Sequence, residues 1–103
     1  PGKIQNVFAT MTPKIYFICM STTAETGDVI KAVWIADHTI GDLPPNHVMA
    51  VKRLVVHKPA ERNQTTEANF SLSKPPQGWP LGSYHIQLYI NGIESYTYPF
   101  IVR

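Results

Sequence analysis

Gly82-Ser-Tyr-His-Ile-Gln-Leu-Tyr-Ile-Asn-Gly-Ile-Glu-Ser-Tyr-Thr-Tyr-Pro-Phe-Ile-Val102 is the stretch that decides the fold class. Tyr84, Ile86, Leu88 and Ile90 fall on one side of an extended chain, and Ser83, His85, Gln87 and Tyr89 on the other. This period-2 alternation marks a strand with one buried face. Asn91-Gly92 follows, two residues that tolerate the positive φ angles of a type I′ turn, whose twist suits a hairpin. The chain returns from Glu94 to Val102 with Tyr96, Tyr98, Phe100 and Val102 in phase. Pro99 has no N–H to give a ladder, which predicts an edge strand or a bulge at that point.

The rest of the chain repeats the pattern. Ala68, Phe70 and Leu72 alternate with Glu67, Asn69, Ser71 and Ser73, and the loop from Lys74 to Leu81 is too rich in proline for a helix. Further strands are expected at Val48–Val56, Ile30–His38, Lys14–Met20 and, less regularly, Ile4–Ala9. In the Val48 strand Ala50, Leu54 and Val56 share a face with Lys52, which leaves its orientation ambiguous. Gly, Pro, Asn or Asp residues punctuate the connections near 22–28, 41–47 and 59–65. Seven short strands separated by turn signals predict an all-β domain, a seven-stranded antiparallel sandwich spanning residues 1–103 as one unit.

Composition agrees with one small core. A chain of 103 residues is single-domain size, and its 44% hydrophobic content offsets chain entropy without an opposing excess of charge. The 16% charged share lies below the usual value of about 25%. A net charge of +2, with Lys52-Arg53 as the one adjacent basic pair, is not the clustered footprint that nucleic-acid binding needs. No apolar run reaches the roughly 18–20 residues of a membrane-spanning helix. The single cysteine, Cys19, excludes an intrachain disulfide. The chain opens at Pro1-Gly2 with no initiator Met or signal-peptide pattern, as expected of a mature or trimmed form whose targeting segment has gone.

With the strands labelled A to G in order, Trp34 falls on strand C, where immunoglobulin domains carry a core tryptophan. Tyr84 falls near the start of strand F, the place of the tyrosine corner. Cys19 falls on strand B, in phase with Ile15 and Phe17, and Ile86 stands where the second cysteine of such domains would be. The segment Phe70-Ser-Leu…Trp79-Pro-Leu-Gly-Ser-Tyr…Asn91-Gly…Phe100-Ile-Val102 resembles the closing part of bacterial extracytoplasmic immunoglobulin-like modules, with their W-P-x-G-x-Y, hairpin and F-x-V signature. The resemblance covers about a third of the chain and implies an immunoglobulin-like sandwich, with Trp34, Tyr84, Cys19, Ile86, Phe70 and Phe100 in its core. It implies a periplasmic, outer-membrane-associated or secreted location. It carries no catalytic residues, and the fold by itself hosts many functions.

Candidate chemistry is sparse. Cys19 sits in phase with the core, where a thiol is a small hydrophobe rather than a nucleophile. His38, His47, His57 and His85 lie nine or more residues apart and lack the close spacing of zinc or copper motifs. Only Asp37, His38 and His47, which flank one loop, offer a route to a metal site. The carboxylates show no paired spacing, and no nucleophile elbow, phosphate loop or dinucleotide fingerprint is present. Asn63-Gln-Thr65 and Asn69-Phe-Ser71 fit the glycosylation pattern at near-chance frequency. Trp79, Tyr89, Tyr96 and Tyr98 cluster around the loop before the Gly82 strand and the hairpin after it. Solvent-facing aromatics there would stack on sugars or anchor a protein. The plainer expectation is that Trp79 plugs an end of the sandwich and the tyrosines cover its edges.

The expected function is that of a non-catalytic module that binds or spaces a protein partner, needing no cofactor. A carbohydrate-binding module using Trp79 and the tyrosines is the second expectation. A metal-binding protein using His38 and His47 is a more remote one.

Overall fold

The computed structural model describes residues 7–21, 25–41, 43–57 and 66–103, with residues 19–21, 66 and 67 described by their backbone alone. These residues form seven strands and no helix: β1 (Val7–Phe8), β2 (Lys14–Ser21), β3 (Val29–Thr39), β4 (His47–Val55), β5 (Thr66–Ser73), β6 (Gly82–Ile90) and β7 (Ile93–Val102). They make two sheets, one of five strands in the order β1-β7-β6-β3-β4 and one of β2 with β5. All pairings are antiparallel except one. β1 runs parallel to β7, with Val7 opposite Ile101 and Phe8 opposite Val102, so the expectation of a purely antiparallel sandwich is corrected at this pair. Alternation reports which face a residue takes but not which neighbour its strand finds, and for that reason the parallel pair escaped the pattern. The expected segment Ile4–Ala9 overlaps β1, and its residues before Val7 lie outside the described ones.

One core joins the sheets. Ile30, Ala32, Trp34 and Ala36 on β3 face inward together with Tyr84, Ile86 and Leu88 on β6 and Phe100 and Val102 on β7. Ile15, Ala68 and Phe70 close the core from the smaller sheet. Aromatic contacts knit the core: the Phe17 ring lies 4.8 Å from Tyr98 across the gap and stacks at 6.3 Å on Phe70 within its own sheet. The Trp34 and Phe100 rings meet in a T-shaped pair with centroids 6.2 Å apart. Side chains of this size, fully buried, each contribute roughly 1.5–3 kcal/mol. The five core positions Trp34, Tyr84, Ile86, Phe70 and Phe100 are all buried. Cys19 stands opposite Ala68 on β2, and its side chain is outside the described atoms.

Lys52 lies in the inward-facing register, opposite Ala32, yet is exposed. β4 is the outermost strand of its sheet, so its inner side overhangs the core and reaches water. This resolves the ambiguity of the Val48 strand.

Local chemistry fixes the connections. Asn91 and Gly92 take φ of 51° and 81°, both positive as a type I′ turn requires, and Ile90 faces Ile93 across it. The Asn91 Oδ1 accepts the Val29 N–H at 2.8 Å, and the Asn91 N–H donates to Val29 O at 2.8 Å. The hairpin tip is thus tied to the start of β3. The Tyr84 hydroxyl donates to Pro80 O at 2.6 Å. At the same end the Trp79 N–H and indole Nε1–H donate to Thr10 O and Thr12 O, pinning the β5–β6 loop to the β1–β2 turn.

Candidate functional site

The predicted aromatic site does not form as a group. Trp79 is only 2% exposed and packs at a near right angle to Tyr84, so it is the plug of the plainer expectation, and the alternative of a ligand-facing ring is corrected. Its flat faces are spent on the core because its indole N–H found a carbonyl to donate to, which removes the cost of burying it. Tyr98 is half-buried and points inward against Phe17. Tyr96, 54% exposed, lies 6.1 Å from Tyr98 on the same side of β7. Tyr89 is half-buried on the opposite, outward side, with the Lys31 Nζ 4.4 Å above its ring. Tyr89 and Tyr96 therefore cannot grip one ligand.

His38 is exposed and His47 half-buried, on β3 and β4. Among the described residues no group of three or more His, Cys, Asp or Glu side chains converges. The close polar pair is one that spacing did not indicate: His85 Nδ1–H donates to Asp37 Oδ1 at 2.6 Å, across a 48-residue separation. Asp37 continues the outward phase of Lys31, Val33 and Ile35, and the register shift between Ala36 and His38 that follows brings His38, opposite Ser83, to the same side. A bulge of this kind re-aims one side chain and leaves no signal in residue composition.

Two concave regions stand out among the described residues. A groove of 420 Å³ runs between β2 and β7, lined by Ile15, Phe17, Ile86 and Phe100, with Lys14 at its side. A shallower one of 690 Å³ lies between the β3–β4 and β5–β6 loops, lined by prolines together with Leu43, His47 and Met49. Neither lining pairs an acid with a base among the described residues.

The outward face of the five-stranded sheet is the most developed surface. The ladder registers arrange it in cross-strand rows. Arg53, Lys31, Tyr89 and Glu94 form one row; Val51, Val33, Gln87 and Thr97 the next; Val48, Ile35, His85 and Pro99 the third. Val29 and Val55 lie beyond the first row, and Asp37 beyond the third. Val48, Val51 and Val55 are 50%, 46% and 48% exposed, beside half-buried Val33 and Ile35. The polar groups of this face are held in place. Gln87, buried, donates to Tyr96 O and accepts from the Thr97 hydroxyl, and Asp37 is held by His85. The face is thus an aliphatic strip on β3 and β4 with fixed polar groups around it. The sequence carried one signal for it, the valines at 48, 51 and 55, but their common facing depends on a register shift opposite Trp34 and Ile35 that breaks the period.

No protein-family model matches this chain, and no curated protein matches it.

Proposed function

We propose that this chain is a non-catalytic immunoglobulin-like binding module of a bacterial periplasmic or surface-associated protein, and that it docks a protein on the outward face of its five-stranded sheet. The observation that carries the reading is the exposed aliphatic strip of Val48 and Val51 beside Val33 and Ile35, with Val55 beyond the Arg53–Lys31 row. Contiguous apolar surface rimmed by polar groups costs free energy in water and is regained on covering it with a partner.

Three features support the immunoglobulin-like part. β2 and β5 form one sheet while β3, β6 and β7 form the other, the division of B and E from C, F and G, with β4 beside β3 as an added C′ strand is in variable-type domains. Trp34 is the buried tryptophan of β3. The Tyr84 hydroxyl reaches back four residues to the Pro80 carbonyl, as a tyrosine corner does. The extracytoplasmic location rests on the resemblance of the closing segment.

The test is a two-dimensional NMR titration of labelled domain with bacterial envelope protein fractions and, separately, with cell-wall oligosaccharides. Broadening centred on the amides of Val33, Val48 and Val51, absent from Val51→Glu, supports protein docking. Shifts at Tyr96 with a sugar, and none at the strip with any protein fraction, overturn it in favour of the carbohydrate reading.

A further inference from the structure

We propose that the outward face takes a second copy of this chain, packed face to face with β3 antiparallel to β3 of the second copy. The proposal rests on the reading of that face as a protein-docking surface and names its partner.

The argument is one of symmetry. On β3, Lys31 and Asp37 both face outward and stand three residues on either side of position 34. At about 3.3 Å per residue they lie roughly 10 Å from that midpoint in opposite directions. A two-fold axis lying in the interface, perpendicular to β3 at position 34, lays Lys31 of each copy over Asp37 of the other. The same rotation lays the Val33–Val51 row over the Ile35–Val48 row of the second copy, aliphatic on aliphatic. An isologous contact of this kind uses every favourable pair twice. A partner of a single charge sign would match one end of the strip and be opposed at the other.

Both charges are already positioned. The Lys31 Nζ rests over the Tyr89 ring, and the Asp37 Oδ1 is held by His85. Holding them in advance lowers the entropy lost on docking. The face is limited in size: four strands at about 4.8 Å and seven residue positions along β3 at about 3.3 Å span roughly 19 by 23 Å. That is smaller than the roughly 800 Å² per partner of a standard stable interface, so the dimer is reversible and concentration-dependent.

Sedimentation equilibrium of the full chain tests this, across about 5 to 500 µM at low salt and again at about 1 M salt, where charge pairs are screened. The expected mass rises from monomer toward dimer with concentration, and rises less at high salt. V51E stays monomeric throughout. K31E and D37K each abolish association, because each sets like charges face to face. An equimolar mixture of K31E and D37K associates again, since the carboxylate introduced at position 31 meets the ammonium introduced at position 37. Thermal melts confirm that each variant is folded. A native chain that is monomeric over the whole range overturns the self-docking proposal while leaving protein docking to its own NMR test. Association that V51E does not reduce, or a K31E and D37K mixture of folded chains that stays monomeric, overturns the proposed geometry.

Discussion

Tyr84 concentrates several effects in one side chain. Its ring stacks on Phe100 at 5.0 Å and stands at a near right angle to Trp79, and its hydroxyl donates to Pro80 O. Burial pushes the phenol up from 10.0 to about 12. The folded state therefore resists ionisation that the unfolded chain undergoes. The stability Tyr84 contributes is whole below pH 10 and is lost as pH rises through 12. Tyr84→Phe should cost about 1 kcal/mol at neutral pH, through the lost hydrogen bond. It should also flatten the decline in stability above pH 10 relative to the parent, as urea melts at pH 8 and 11 would report. Equal declines in parent and mutant would remove Tyr84 as the cause. Trp34→Ala should cost about 3–5 kcal/mol in the same melts, the range for a large ring deleted from a packed core. Trp34→Phe should cost less, because the buried Nε1 has no partner among the described residues and its loss relieves a penalty. Trp34, Tyr84, Ile86, Phe70 and Phe100 were legible because period-2 phase assigns strand residues to a face. For Trp79 the plug was the plainer of two readings, but a loop has no phase to decide between them, and its fate turned on the Thr12 carbonyl, 67 residues away in sequence.

Among the elements, the β6–β7 hairpin is the best specified. Gly92 has open space where a Cβ would stand, so Gly92→Val should destabilise only through its positive φ, by about 1–2 kcal/mol in a denaturant melt. Gly82 is the contrasting case. A Cβ there would stand 2.1 Å from His38 O and 2.7 Å from the Thr39 Cα, both backbone atoms of the neighbouring strand. Gly82→Ala must part β6 from β3 and should lower the melting temperature more than Gly92→Ala does; the reverse order would contradict the close approach of the two strands. Asp28 ties the same hairpin from the other side. The Glu25 N–H and then the Asn91 Nδ2–H hold its carboxyl below the usual 3.8. Its contribution is present above pH 3.8 and is lost as pH falls through the lowered value, so Asp28→Asn should blunt the acid end of the stability profile. Strand positions were readable because each strand is short, alternating and bounded by turn residues. The bonds from Asn91 to Val29 and Asp28 were not, because nothing local links residues 62 and 63 positions apart.

At the scale of the molecule, both tryptophans are buried in one core built from both sheets. Native emission should therefore be blue-shifted and poorly quenched by acrylamide, and oligosaccharides should leave it unchanged. A sugar-induced shift would show that an indole faces solvent after all. The division into two sheets followed from the count and spacing of strands. The sheet that β4 joins was not readable, because its faces mix Lys52 with Ala50 and Leu54. The outward aliphatic strip depends on that membership and stayed hidden with it. The parallel pair of β1 and β7 has a mechanical consequence. Phe8 and Val102 are neighbours on strands that point the same way, and the Arg103 N–H bonds to Phe8 O at 3.0 Å. Tension that drags the early end of β1 and the late end of β7 apart slides the two strands lengthwise. The bonds between them are then strained together rather than peeled one after another, so this short seam acts as a clasp when the domain is stretched.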